Sequence, residues 1–169
     1  MSAPGGMRGP NLRRGQHESP QELRLDLPAA HSAARMARHL VRQFARSGGL
    51  AGAALDNLVL IADELLTNAV DHGGGNGSME ETDLAHPVRM NLSLVVSALD
   101  WEVRVSDQGG GDPRAVDALI HPRDIPDLEN ERGRGFFLMA QMVDTLEVKR
   151  SDDGLGLVLI ARKRLAPNG

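Results

Sequence analysis

Between about Gly52 and Asp71 the chain carries Leu55, Leu58, Val59, Ala62, Leu65, Leu66 and Ala69. At about 3.6 residues per turn these positions cover more than the narrow stripe of a surface helix. The segment therefore predicts a helix buried over much of its circumference. Such a helix must be packed by a sheet or by other helices, which limits the folds open to the chain. It also makes its own polar residues conspicuous. Glu64 and Asn68 stand in a segment otherwise built for an interior.

The rest of the chain supplies the packing partners. Glu22–Leu27 alternates Leu23, Leu25 and Leu27 with polar residues, the pattern of a short strand. Pro28 is expected to open a helix, because its missing N–H is harmless in a first turn. Met36, Leu40, Val41 and Phe44 then share one face, Arg35, Arg38, Arg42 and Arg46 fall largely outside it, and Ser47-Gly48-Gly49 ends it. Val88–Ser97 and Trp101–Ser106 read as strands joined through Ala98-Leu99-Asp100. Gly109–Asn130 reads as a long loop, of a length that is usually functional or mobile. Phe136–Val143 is expected to be a helix. Thr145–Arg150 and Leu155–Arg162 are expected to form a hairpin through Ser151-Asp152-Asp153-Gly154.

This order predicts an α+β fold: a two-layer sandwich of one mixed, mainly antiparallel sheet with helices on one face. One domain over residues 21–165 follows, behind a tail over 1–20 whose Gly, Pro, Ser and Arg predict disorder. No internal repeat is visible.

Composition removes several functions. With no cysteine there is no disulfide, zinc-thiolate cluster or thiol nucleophile, which suits a reducing cytoplasm. With no Tyr and a single Trp, Trp101, aromatic stacking on single-stranded nucleic acid has little to work with. The longest apolar runs, such as Leu58–Ala62, are too short to span a membrane, and Met1–Gln16 lacks the apolar stretch of a secretory signal. Residues 1–50 hold eight Arg against three acids, and residues 51–100 hold eight acids against Arg89 alone. No basic block is dense enough for a nucleic-acid footprint, so the arginines read as a solvated tail and an outer helix face. Neither direct nucleic-acid contact nor membrane association is expected.

Three segments can carry chemistry. In Asp63–His72, Glu64 and Asn68 are four apart and stack on one helix face, with Asp71 and His72 one turn further on. An amide carbonyl with substrate phosphates and water can hold Mg²⁺, and a neighbouring carboxylate can take a proton from a hydroxyl. The plain alternative is a solvated helix end; a transition-metal site from Glu64, Asp71 and His72 lacks a second His at ligand spacing. Next, Val105-Ser106-Asp107-Gln108-Gly109-Gly110-Gly111 takes a strand into an acid and three glycines. Asp107 can accept from the exocyclic amine of adenine, and the glycines allow close backbone approach. An ordinary turn reads the same way. Third, Gly133-Arg134-Gly135 leads into Phe136, so backbone N–H groups at a helix start can meet phosphate, with Arg134 adding charge. It is neither a Walker A loop nor a dinucleotide fingerprint, since the required Lys and the preceding strand are missing. No nucleophile elbow accompanies His72 or His121.

In this order the segments resemble the boxes of the GHKL ATPases shared by gyrase, histidine kinases and mismatch-repair ATPases. Glu64-x-x-x-Asn68 is similar to the N box, Asp107-x-Gly109-x-Gly111 to the first glycine box, and Gly133-x-Gly135 with Phe136 and Leu138 to the second. From about 22 to 164 the chain looks like the smallest branch, the bacterial anti-sigma-factor serine kinases. The resemblance implies that Glu64 is the general base, Asn68 ligates Mg²⁺ and Asp107 reads adenine. It implies that Gly109, Gly111, Gly133, Arg134, Gly135 and Phe136 shape the ATP site, with the lid between Gly111 and Gly133. It further implies an ATP-dependent kinase that phosphorylates a serine on an anti-anti-sigma partner, sequesters a sigma factor in the alternative state, and commonly forms homodimers. A non-catalytic nucleotide-binding module that holds a protein partner is the second reading, and a free ATPase the third. Three departures stand out. Asp71 replaces the Lys common in histidine kinases and is expected to face the phosphates. The His72–Pro87 loop is long. Gly156-Leu157-Val158 lacks the Thr that relatives often carry.

Overall fold

In the computed structural model, which describes residues 19–73, 88–122 and 131–166, the chain begins with β1 (Gln21–Pro28), α1 (His31–Ser47) and α2 (Gly52–Gly73). It continues through β2 (Arg89–Val96), β3 (Asp100–Ser106), α3 (Pro113–Ile120), α4 (Glu131–Met142), β4 (Thr145–Arg150) and β5 (Leu157–Arg164). Most of the N-terminal tail, most of the His72–Pro87 loop and residues 123–130 of the expected lid lie outside the described residues.

The strands form one sheet in the order β1-β2-β3-β5-β4. Every pairing among the described residues is antiparallel, where a mixed sheet was expected. The connections explain the difference. The α1–α2 pair brings the chain back to the end of β1 that it left, so Pro28 faces Arg89 in the register. After β3 the chain crosses through α3 and α4 to β4, which runs parallel to β3. But β5 turns back as a hairpin and inserts between them, so no parallel neighbours remain.

The broad apolar helix behaves as its sequence requires. Leu58, Ile61, Ala62, Leu65 and Leu66 of α2 are wholly buried against the inward row Met90, Leu92, Leu94, Val103 and Val105 of the sheet. Each buried Leu or Ile contributes roughly 1.5–3 kcal/mol. α1 packs beside α2 through a face only partly the one expected. Ala33, Ala34, Ala37, Val41 and Ala45 are the buried residues, Phe44 packs partly buried against the core, and Met36 and Leu40 lie exposed on the flank. Small side chains let the helix sit close to the sheet, and the longer ones are displaced to its edge. Arg38 and Arg42 tie α1 to Asp63 and Asp56 of α2 at 3.2 and 3.1 Å.

Three element boundaries differ from expectation. Pro28 ends β1 instead of opening α1; Ala29 N–H still bonds to Val88 O at 2.8 Å, and helical residues begin at His31. The expected long loop contains α3. Asp112 accepts from Arg114 N at 3.0 Å as its cap, Pro113 fills the first turn, and Val116 and Ile120 are buried. α4 begins at Glu131, five residues early, so Gly133 and Gly135 lie within it and not ahead of it.

The outer sheet face carries charge. Glu102 accepts from Arg104 at 2.5 Å and from Arg162, its cross-strand partner; Arg162 also reaches Glu147 at 3.2 Å. Burial pushes the Glu102 carboxyl up, but the hydrogen bonds from Arg162 and Arg104 outweigh it and hold the group below its ordinary value. Among the described residues no helix is long and apolar enough to cross a membrane.

Candidate functional site

The layers open at the end of β3, where α2, α3, α4 and β5 converge. A cavity of about 200 Å³ lies there, lined by Asn68 and His72 of α2, Asp107, Gly110 and Gly111 after β3, Val116 of α3, Phe136 of α4, and Leu157 and Leu159 of β5. Asn68, Asp107, Gly111 and Phe136 thus meet at one cavity, and Glu64, Gly109, Gly133, Arg134 and Gly135 lie outside its lining.

Asn68 is set by its own helix. Its Nδ2 donates to Glu64 O at 2.8 Å. Only the amide N–H₂ can make that bond, which leaves Oδ1 as the atom of this side chain that a cation could use. Glu64, one turn earlier, is exposed and outside the cavity lining. It faces α4: a side chain built on Gly135 would begin 3.9 Å from Glu64 Oε2. Asp71 does not join this face. Its carboxylate pairs with His31 Nε2 of α1 at 3.1 Å, which corrects the expectation that it confronts phosphates.

Asp107 is anchored by the strand beside it. Its N–H donates to Leu157 O at 3.0 Å, and its Oδ1 accepts from Gly109 N at 2.9 Å and more weakly from Leu157 N at 3.4 Å. These bonds orient the carboxylate at the cavity wall. Gly156 makes this possible. A Cβ at 156 would lie 2.2 Å from Asp107 O and 2.4 Å from Oδ1.

The glycines divide their work differently from the reading of the motif. Gly109 contributes an N–H to Asp107, and Gly110 and Gly111 take the left-handed conformation at φ +81° and +88°. Gly110 N–H also bonds to Leu155 O at 2.9 Å, which pins the loop to the β4–β5 hairpin. In that hairpin Ser151 and Leu155 N–H hydrogen-bond to Asp153 and hold its carboxyl below the usual range. Gln108 bridges outward, donating to Asp153 at 3.3 Å and accepting from Arg89 N at 3.1 Å.

On α4, Phe136 is buried and forms one wall, Gly133 is buried, and Arg134 is exposed. Val116 and Leu159 were not singled out from sequence, and Gly156 and Leu157 drew notice only for a missing Thr. The Asp-Pro cap at 112–113 marks α3 and so signals Val116; the others depend on β5 lying beside β3. Among the described residues no three His, Asp or Glu converge as a metal-binding cluster.

No curated protein matches the chain in sequence. A structure of the RsbU and RsbW domains of Rv1364c from Mycobacterium tuberculosis is similar at TM-score 0.54 and 16% identity, over 85% of this chain and 32% of that one. This chain thus spans about a third of the mycobacterial one. The SiaB–SiaC complex from Pseudomonas aeruginosa is similar at TM-score 0.58 and 14% identity, over 85% of this chain and 89% of the matched one. At such identities the likeness is one of fold. The sequence profile described as histidine kinase-like ATPase domain matches residues 27–163, nearly the whole sheet-and-helix unit. This chain belongs to the family of histidine kinase-like ATPase domains, and ATP is the ligand class that membership implies.

Proposed function

We propose that the chain is an ATP-dependent protein-serine kinase of the anti-sigma-factor type, which phosphorylates an anti-anti-sigma partner and exchanges it for a sigma factor. One observation carries the reading. The amide that can hold a cation lines the cavity, and the carboxylate that can take a proton stands one turn away, outside it and across from α4.

The cavity is smaller than the roughly 300–1,000 Å³ of sites that enclose a drug-sized ligand. At about 200 Å³ it suits a purine base between Asp107 and the apolar walls Val116, Phe136 and Leu159. The triphosphate would then lie along α2 and the start of α4, near Gly133, Arg134 and Gly135. Asn68 Oδ1 supplies a single protein oxygen, which fits Mg²⁺ held chiefly by phosphates and water. Bound there, Mg²⁺ supplies neutralisation of charge on the phosphates. Glu64 takes the proton from a serine hydroxyl brought by the partner, and Asp107 accepts from the adenine amine. A chain that leaves its base exposed leaves room for a protein substrate. SiaB occurs in complex with SiaC, which supports a protein partner.

The test is transfer of labelled phosphate from ATP to a protein that co-purifies with the native chain. Glu64→Ala is expected to abolish transfer and keep nucleotide binding. Native protein that binds ATP but transfers nothing to its own partner would leave a binding module and sink the kinase. Unchanged ATP affinity in both Asn68→Ala and Asp107→Ala would remove the pocket itself.

A further inference from the structure

We propose that His31 is a positioning residue of this site: it holds the Asp71 carboxylate on α1 and so keeps a negative charge off the phosphate side of α2. The inference rests on the nucleotide reading above. Asp71 follows Asn68 by three residues, a spacing that puts Cβ atoms about 5–6 Å apart on a helix. It lies in the last turn of α2, where the helix dipole disfavours an acid. His31 is the first residue of α1, and its Nε2 meets Asp71 Oδ1 at 3.1 Å.

Joining the helices does not require this pair. Arg38–Asp63 and Arg42–Asp56 already do so further along the seam. The His31–Asp71 contact sits at the seam's other end, one residue from His72 in the cavity wall. Both side chains are about half exposed, at 54% and 43%, so Asp71 released from His31 has room to turn toward Asn68. A carboxylate there would repel phosphate and compete for the same cation.

The experiment is calorimetric titration of Mg-ATP and, separately, of adenosine into the native chain, His31→Ala, Asp71→Asn and the double variant. Adenosine has the base and no phosphate charge, so it reports on the pocket alone. His31→Ala is expected to weaken Mg-ATP about three- to fivefold, the scale of one partly exposed hydrogen bond. Adenosine affinity should not change, and Asp71→Asn in the His31→Ala background should restore native Mg-ATP affinity. Equal loss for both ligands, no loss for Mg-ATP, or no restoration by Asp71→Asn would each overturn the inference while native binding upheld the nucleotide reading. A native chain that binds neither ligand would overturn both.

Discussion

Replacing Gly156 with alanine should damage the base-binding end of the site more than any other single methyl group placed in the hairpin. The added Cβ would lie 2.2 Å from Asp107 O, 2.4 Å from Oδ1 and 2.6 Å from the carbonyl carbon. The first and last of these are backbone atoms and cannot swing aside, so β3 and β5 must part at the cavity. The Asp107 N–Leu157 O bond at 3.0 Å and the Gly109 N–Oδ1 bond at 2.9 Å lie directly in that path. Overpacking of this kind costs about 1–3 kcal/mol. With about 2–4 °C per kcal/mol for a chain of this length, the melting temperature should fall by roughly 2–12 °C.

The binding effect is separable. A displaced Asp107 loses a charge-assisted hydrogen bond to the base, worth about 1.5–3 kcal/mol, so ATP should bind about ten- to a hundredfold more weakly. Preference for ATP over GTP should shrink, because the lost contact is the one that distinguishes an amine from a carbonyl. Gly154→Ala is the control. Gly154 has φ +73° and nothing within 4 Å, so alanine there meets backbone strain alone. It should lower stability slightly and leave ATP affinity unchanged. Calorimetric titration and thermal melts of the two variants decide the matter. Native ATP affinity and ATP-over-GTP preference in a folded Gly156→Ala protein would refute the placement of Asp107 as the base reader.

Other outcomes follow from the core and the charged face. Leu65→Ala, at a wholly buried position of α2, should cost about 2–5 kcal/mol in denaturant unfolding; a loss under 1 kcal/mol would contradict the central packing of α2. Glu102 has a folded value below its ordinary 4.5, so its stabilisation is present above that value and disappears as pH falls through the lower folded one. The stability gap between native protein and Glu102→Gln, about 1 kcal/mol at pH 7, should therefore close on acidification below about pH 4.5. A gap that stays constant from pH 7 to 3 would contradict the pairing with Arg162 and Arg104.

Periodicity made much of this architecture legible. The alternation of Leu23, Leu25 and Leu27, the breadth of the apolar surface on α2, and the two hairpins each reflect local chemistry and appear in the structure. The Glu64–Asn68 spacing was equally local. What escaped was set by partners distant in sequence. Gly133 and Gly135 each weaken a helix by about 1 kcal/mol relative to alanine, so the segment reads as a loop, yet packing carries α4 through both. Asp71 looked aimed at phosphate because nothing in its own helix shows that His31 lies beside it. Gly156 reads as an ordinary strand residue until β5 is set against Asp107. α3 is a different kind of miss: Asp112-Pro113 with Val116 and Ile120 is a capped amphipathic turn, hidden by the surrounding glycine and proline.

The insertion of β5 between β3 and β4 also sets the order in which the protein can acquire its site during synthesis. Asp107 finds its anchor 50 residues later, at Leu157. A nascent chain that has exposed α2, with Glu64 and Asn68 in helical register, still has no floor or far wall to its cavity. Closing so long a loop is entropically costly and delays such pairings. Nucleotide competence should therefore arrive late and all at once, when the final strand slides into the middle of the sheet, and a ribosome-bound chain short of β5 should be blind to ATP.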